Sequence, residues 1–118
     1  MHNFRELKIW QKSRVLVKEI YRIVKLLPKD ELYSLTSQIK RAVISISTNI
    51  AEGCGRGTDK ELSRFLDIAT GSAFELETLL ILATDLEYLS NEQTEEKISA
   101  LNEIERMIFT FKSKLNLS

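Results

Sequence analysis

The 118-residue sequence has very few of the residues that build metal centres and nucleophilic catalytic sites. It contains one cysteine, Cys54, and one histidine, His2. A lone cysteine cannot form a disulfide within the chain, and the two counts exclude most zinc sites, Cys–His nucleophiles and Ser–His–Asp triads. A di-iron helix bundle needs Glu-x-x-His pairs on two helices, which one histidine cannot supply. We therefore predict no metal, no cofactor, no small-molecule substrate and no enzymatic activity.

Long apolar runs are also missing. No stretch approaches the 18 uncharged apolar residues that a membrane span needs. The N-terminal MHNFRELKIW carries charges where a secretory signal needs an apolar segment. With 43% hydrophobic and 29% charged residues, the composition is that of an ordinary globular domain. The sequence predicts one cytoplasmic domain over residues 1–118, with no membrane association.

Proline occurs once and glycine four times, so few positions interrupt the helical periodicity of the apolar residues. The first predicted helix covers residues 4–27 and stops at Pro28, because proline disfavours a helical conformation in the residue before it. The second covers residues 35–53. It ends in the glycine-rich stretch 53–57, where glycine accepts the left-handed backbone of a helix C-cap.

Two capping-box patterns predict the starts of the remaining helices. Thr58 with Glu61 begins a third helix that continues to about residue 89, and Ser90 with Gln93 begins a fourth. Four amphipathic helices with short connections predict an all-α fold, an up-down-up-down antiparallel four-helix bundle.

The charges of the chain sum to zero but are unevenly distributed. Residues 1–56 hold eleven Lys or Arg against five Asp or Glu, and residues 57–118 hold six against twelve. Such asymmetry indicates either an electrostatic binding face or two halves that attract each other within the fold or between subunits. The zero net charge argues against broad, nonspecific nucleic-acid binding.

A row of cations recurs along the first predicted helix at steps of 4, 4, 3 and 4. These cations, the basic ladder, are Arg14, Lys18, Arg22, Lys25 and Lys29. Evenly spaced cations neutralise phosphates along a nucleic-acid backbone, although a solvated helix face has the same pattern. No aromatic residue interleaves the ladder, so we expect no stacking platform for single-stranded bases. If the chain binds nucleic acid, we expect the ladder, with Lys40, Arg41 and Arg56, to carry the contact.

A polar stripe lies beside the apolar stripe of the second predicted helix. Its members fall within about 60° of one direction. They are Gln38, Arg41, Ser45, Asn49, Glu52 and Arg56. The stripe is either a ligand or nucleic-acid contact line or a hydrogen-bonded network, in which Arg41 pairs with Glu52 or with Glu75. We favour the network, with Asn49 and Glu52 mostly buried, because partly buried polar residues usually satisfy one another.

The third predicted helix has apolar residues outside its core stripe. Phe74, Ile81 and Tyr88 recur every seven residues, and a helix that is apolar nearly all round is buried on more than one side. A second lateral set comprises Ile68, Leu79, Leu82 and Leu86. These residues either cover grooves within the monomer or form subunit contacts. We favour subunit contacts and therefore predict a homo-oligomer.

Two motifs of the second predicted helix resemble those of the 23S rRNA intervening-sequence protein family. They are Gln38-Ile39-x-Arg41-Ala42 and Asn49-Ile50-Ala51-Glu52-Gly53, which are specific in combination. The resemblance extends along almost the whole chain, through Leu27-Pro28 before them and Phe65-Leu66 after them. It implies a four-helix subunit assembled as a homopentamer with a central channel. The fold and ring are also similar to those of the accessory proteins of diversity-generating retroelements.

Those accessory proteins act with a reverse transcriptase and bind nucleic acid through basic surface. We therefore expect a non-enzymatic homo-oligomer that binds RNA, DNA or a nucleic-acid enzyme as an accessory factor. The alternative is a structural or protein-interaction module without nucleic-acid affinity. A third class, a small hydrolase using Glu52 or Glu75, has no nucleophile, metal set or general-base partner to support it.

Overall fold

Four α-helices form the structure, a computed structural model that describes residues 2–118 and contains no β-strand in that range. They are α1 (Lys8–Ile23), α2 (Leu35–Cys54), α3 (Asp59–Asp85) and α4 (Asn91–Ser113). Each packs on the next in sequence and α1 packs on α4, which closes a bundle of 47 × 24 × 21 Å. The predicted all-α four-helix bundle is confirmed. Within residues 2–118, no helix is long and apolar enough to cross a membrane.

Side-chain pairs show that neighbouring helices run antiparallel. Lys112 near the end of α4 forms a hydrogen bond with Asp67 early in α3. Thr94 at the start of α4 forms one with Thr84 at the end of α3. The same order holds between α1 and α4, where Lys12 meets Glu103 at 2.6 Å and the later Glu19 of α1 meets the earlier Lys97 of α4 at 3.4 Å. Short connections between consecutive helices therefore give the predicted up-down-up-down arrangement.

The first predicted helix is shorter than expected. Residues Phe4–Glu6 and Val24–Leu26 form 3₁₀ turns, which are common at helix ends. Leu7 has an extended backbone (ψ 128°) that separates the first turn from α1. Leu27 is also extended (ψ 146°), as expected for a residue before proline.

The third helix also ends earlier than predicted, at Asp85. Glu87 has a left-handed backbone (φ 65°), although it is not a glycine. The amide of Glu87 donates to the Thr84 carbonyl and that of Tyr88 to the Ala83 carbonyl, both at 2.9 Å. This pair of bonds is the Schellman motif that terminates helices. Ser90 then starts α4 with both bonds of the predicted capping box.

The glycine-rich stretch 53–57 does not end α2 with the predicted left-handed glycine, and its first residue, Gly53, has a packing role. No glycine of residues 2–118 has a positive φ, and α2 continues one residue further, to Cys54. A Cβ on Gly53 would lie 2.8 Å from Phe65 Cβ and 2.9 Å from Leu62 Cδ1. The absence of a side chain therefore lets the end of α2 approach the start of α3.

A single hydrophobic cluster runs through all four helices. The apolar residues at helical spacing predict core positions on α2 and α3, and all of these residues are buried. They are Leu35, Ile39, Ala42, Ile46, Ile50, Gly53, Leu62, Phe65, Leu66, Ala69, Ala73, Leu76, Leu80 and Ala83. The stripes predicted on the first and fourth helices contain the buried Ile9, Leu16, Ile20, Val24, Leu27, Leu101, Ile104 and Ile108 and the half-buried Trp10, Val17, Ile98, Phe111 and Leu115. Of these five, Trp10, Val17, Phe111 and Leu115 pack against the buried cluster.

Candidate nucleic-acid interface

A surface groove of about 850 Å³ lies between α1, the connection that follows it and the first turns of α2. We call it the basic groove, because cations form much of its lining. They are Arg14, Lys18, Arg22, Lys25, Lys29 and Lys40. Val17, Leu27 and Leu32 contribute apolar surface. Within residues 2–118, no aspartate or glutamate lines the groove. It therefore presents positive charge around an apolar floor.

Local structure explains how distant residues reach one groove. Steps of four residues place Arg14, Lys18 and Arg22 one above another on α1. The chain then leaves the helix, and Lys25 and Lys29 stand on the two 3₁₀ turns that flank Pro28. Lys40 comes from α2, where its ammonium lies 4.9 Å from the centre of the Tyr21 ring. The structure thus joins the whole ladder to one cation of the next helix.

No carboxylate of residues 2–118 neutralises the groove cations. In the described part of the chain, none of the six forms an ion pair with a carboxylate. The basic half does contact the acidic half at Lys12–Glu103, but Lys12 lies outside the basic groove. Attraction between the halves within the fold therefore does not account for the ladder.

Tyr21 is the groove residue that sequence reasoning missed. The expectation of a ladder without an aromatic partner was wrong, since Tyr21 lines the groove beside the cations. It follows Lys18 by three residues, and that spacing places two side chains on one helix face. The ring also packs against the core.

Two predicted contact residues lie outside the basic groove. Arg41 is exposed on α2, on a different face from Lys40. Arg56 follows the end of α2, where its guanidinium contacts Glu52 at 3.3 Å and lies 4.8 Å from the Phe65 ring centre. The eight predicted cations are therefore not one surface, because Arg41 on α2 and Arg56 after its end do not line the basic groove.

The predicted polar network exists in a smaller form. Ser45 Oγ lies 2.8 Å from Ser72 Oγ of α3. The side-chain amide of Asn49 donates to Ser45 Oγ at 2.9 Å and to the Ser45 carbonyl at 2.8 Å. Asn49 is half-buried rather than mostly buried. Ser72, which the prediction missed, is the partner that ties this cluster to α3.

The remaining members of the predicted network lie on the subunit surface. Gln38, Arg41 and Glu75 are exposed, and the Glu52 side chain is 54% exposed. The prediction of a buried Glu52 was therefore wrong for the single chain. Among residues 2–118, Arg41 forms no ion pair with Glu52 or Glu75. Only the edge of the stripe nearest α3 is covered, because the stripe is wider than the contact between the helices.

Of the three apolar residues predicted to recur every seven positions along α3, two lie on its surface. Phe74 and Ile81 are 56% and 43% exposed on α3. Tyr88 does not continue the stripe, because α3 ends at Asp85 and the left-handed Glu87 redirects the chain. The Tyr88 hydroxyl instead donates to Glu31 Oε2 at 2.8 Å within the subunit.

The bond to Tyr88 also fixes the connection that closes the basic groove. Ser34 Oγ donates to Glu31 Oε1 at 2.6 Å, so both carboxylate oxygens of Glu31 have a partner. The hydrogen bond from Ser34, followed by that from Tyr88, holds the pKa of Glu31 below its ordinary value. The 3₁₀ turn Lys29–Glu31 is thereby attached to the end of α3.

Comparison with known proteins gives a family and a structural relative. Residues 5–110 match the family model described as 23S rRNA-intervening sequence protein. A crystal structure of a protein of unknown function, from the S23 ribosomal protein family of Bacteroides thetaiotaomicron, is similar to this chain with a TM-score of 0.82. The two are 26% identical, and the similarity covers 90% of this chain and 99% of that one. The chain has no match among curated proteins.

Proposed function

Since this chain belongs to the 23S rRNA-intervening sequence protein family, we propose that it is a non-enzymatic accessory protein that binds RNA or DNA. The basic groove is the contact surface in this proposal. The observation that carries it is that, among residues 2–118, six cations without an ion-pair partner converge on one groove whose lining holds no carboxylate. Of the eight contact residues expected from the sequence, the proposal keeps the ladder and Lys40.

The geometry suits a phosphate backbone better than a small anion. Successive ladder cations on α1 are four residues apart, which is about 6 Å along the helix axis. Such a row matches a polymer with regularly repeated charge, whereas a single phosphate would engage one or two cations. Phosphate contacts fix position without reading sequence, so we expect little base specificity.

A charge-reversal experiment tests this proposal. Lys18→Glu/Arg22→Glu should weaken binding to fluorescein-labelled RNA and DNA at least tenfold, measured by fluorescence anisotropy at low salt. The matched control is Lys60→Glu/Arg64→Glu, which reverses two exposed cations of the same spacing on α3, outside the groove. The control should bind within about threefold of the parent, with both variants retaining the parent's helicity and particle size.

Two results would contradict the proposal. One is a parent protein that binds neither RNA nor DNA at about 50 mM salt. The other is an equal loss of affinity in both double variants, which would mean that net charge alone governs binding. Either result favours the alternative of a protein-interaction module.

We also propose that the protein self-associates, as a homopentamer, through the outer face of α3. The exposure of Phe74 and Ile81 supports this, because large apolar side chains clustered at a surface mark interaction sites. A ring would repeat the basic groove once per subunit. Several weak sites on one scaffold bind a long polyanion more tightly than one site does.

A further inference from the structure

We infer that the basic groove takes single-stranded nucleic acid in preference to duplex, with Tyr33 as the ring on which a base stacks. This inference rests on the proposed function and names its ligand class. It depends on three observations, which are the exposure of Tyr33, the rigidity of the turn before it and the apolar floor of the groove.

Tyr33 is the most exposed large apolar residue among residues 2–118, with 92% of its surface accessible. Tyr33 is not among the residues that line the basic groove, but it immediately follows Leu32, which is one of them. A ring this exposed adds almost nothing to the core, so folding does not explain a tyrosine at this position. Its place beside the groove makes it available to a ligand that the cations hold.

The turn that carries Tyr33 is fixed. The Leu32 amide donates to the Lys29 carbonyl at 3.1 Å, and the Ser34 amide donates to the Glu31 carbonyl at 3.0 Å. The Glu31 carboxylate ties the same turn to Tyr88. A ring on a backbone held at both sides loses less conformational freedom on binding than one on a mobile loop.

The apolar floor of the groove favours a single strand. Tyr21, Val17 and Leu32 offer apolar surface that a duplex would leave uncovered, because a duplex presents sugars and phosphates at its outside. The unpaired bases of a single strand can lie on this surface.

Cations next to aromatic rings are the combination that binds single strands without sequence preference. Phosphates follow the positive groove while bases stack on rings, each stack contributing about 1–3 kcal/mol. Here the ladder and Lys40 supply the charge, and Tyr33 supplies an accessible ring. Tyr21, half-buried with Lys40 over its face, adds apolar surface beneath the strand.

The test compares labelled oligo-dT and oligo-U strands of about 20 nucleotides with a duplex of equal length, by anisotropy at one salt concentration. The parent should bind the single strands at least tenfold more tightly. Tyr33→Ala should weaken single-strand binding about five- to hundredfold and leave duplex binding unchanged. Tyr33→Phe, which keeps the ring, should bind like the parent. Phe109→Ala removes a comparably exposed ring on α4, outside the groove, and should also bind like the parent.

The outcomes separate this inference from the proposed function. A parent that binds neither single strand nor duplex overturns the proposed function itself. Equal affinity for both, with no effect of Tyr33→Ala, keeps backbone binding and overturns the single-strand inference. Inorganic polyphosphate or a polyglutamate peptide that competes as well as the oligonucleotide, at equal charge, also overturns it, because charge alone would then explain binding.

Discussion

At the residue scale, the position of Glu105 on α4 is unfavourable for an ionised side chain. Its Oε2 atom is shielded from solvent and has no hydrogen-bond partner in the described chain. Burial, followed by the nearby Glu77 carboxylate, raises the pKa of Glu105 above its ordinary value of 4.5. The folded state therefore favours the protonated form of this side chain. Its contribution to stability is fully present below pH 4.5 and is lost as the pH rises through the raised pKa.

We expect Glu105→Gln to stabilise the protein at pH 7 and to have little effect near pH 4. The free energy of unfolding at pH 7 should rise by roughly 1 kcal/mol. This is the lower end of the range for an unpartnered buried group, because the side chain is partly exposed. Urea denaturation at the two pH values measures it.

The control for this experiment lies on the same helix. Glu103 accepts a hydrogen bond from Lys12, which holds the pKa of Glu103 below its ordinary value. A lowered pKa gives stability that is present above the unfolded pKa and lost as the pH falls through the folded one. Glu103→Gln should therefore destabilise slightly at pH 7. Stabilisation by both variants, or by neither, would contradict this account of Glu105.

At the element scale, two glycines test how α2 packs on α3. Gly53→Ala should destabilise by about 1–3 kcal/mol, because its Cβ would overlap Phe65 Cβ, which cannot move without its backbone. Gly71→Ala should stabilise by about 0.5–1 kcal/mol, because it lies inside α3 with nothing within 4 Å of the added atom. Chemical denaturation measures the change in the free energy of unfolding for each variant. A change in the same direction for both variants would refute the close approach at Gly53.

The ends of the helices show what the sequence could predict. Thr58, Ser90 with Gln93, and Pro28 act where the pattern placed them, because caps and proline work through local backbone geometry. The end of α3 could not be predicted, since a glutamate in the left-handed region gives no compositional signal. The same missed end placed Tyr88 on a stripe that the chain leaves after Asp85.

The candidate site was predictable in part for a related reason. Spacing along one helix identified Arg14, Lys18 and Arg22, because residues four apart share a face. Lys40 was also predicted, but its position in the groove without Arg41, like the contribution of Tyr21, depends on how α1 is turned toward α2, which no single helix encodes. The polar stripe was predicted correctly only in part for the same reason, since the contact of Ser45 with Ser72 and the exposure of Glu52 depend on helix rotation.

At the scale of the whole molecule, the apolar surface of α3 predicts an assembly. Light scattering at micromolar concentration should give a mass of five subunits. Phe74→Asp or Ile81→Asp should shift the mass toward smaller species, because an interfacial carboxylate would lose water without gaining a partner. Leu117→Ala, an exposed apolar residue after α4, is a control that should leave the mass unchanged. A monomeric parent would contradict the proposed assembly.

The most direct test of the central claim, that groove cations neutralise phosphates, is the slope of log affinity against log salt concentration. Six cations predict a slope near −4 for a single strand, since each phosphate contributes about 0.7. Lys18→Gln/Arg22→Gln should make that slope shallower by about 1.4, and Lys60→Gln/Arg64→Gln should leave it unchanged. A parent slope near zero, or one that the groove variant does not alter, would contradict the claim.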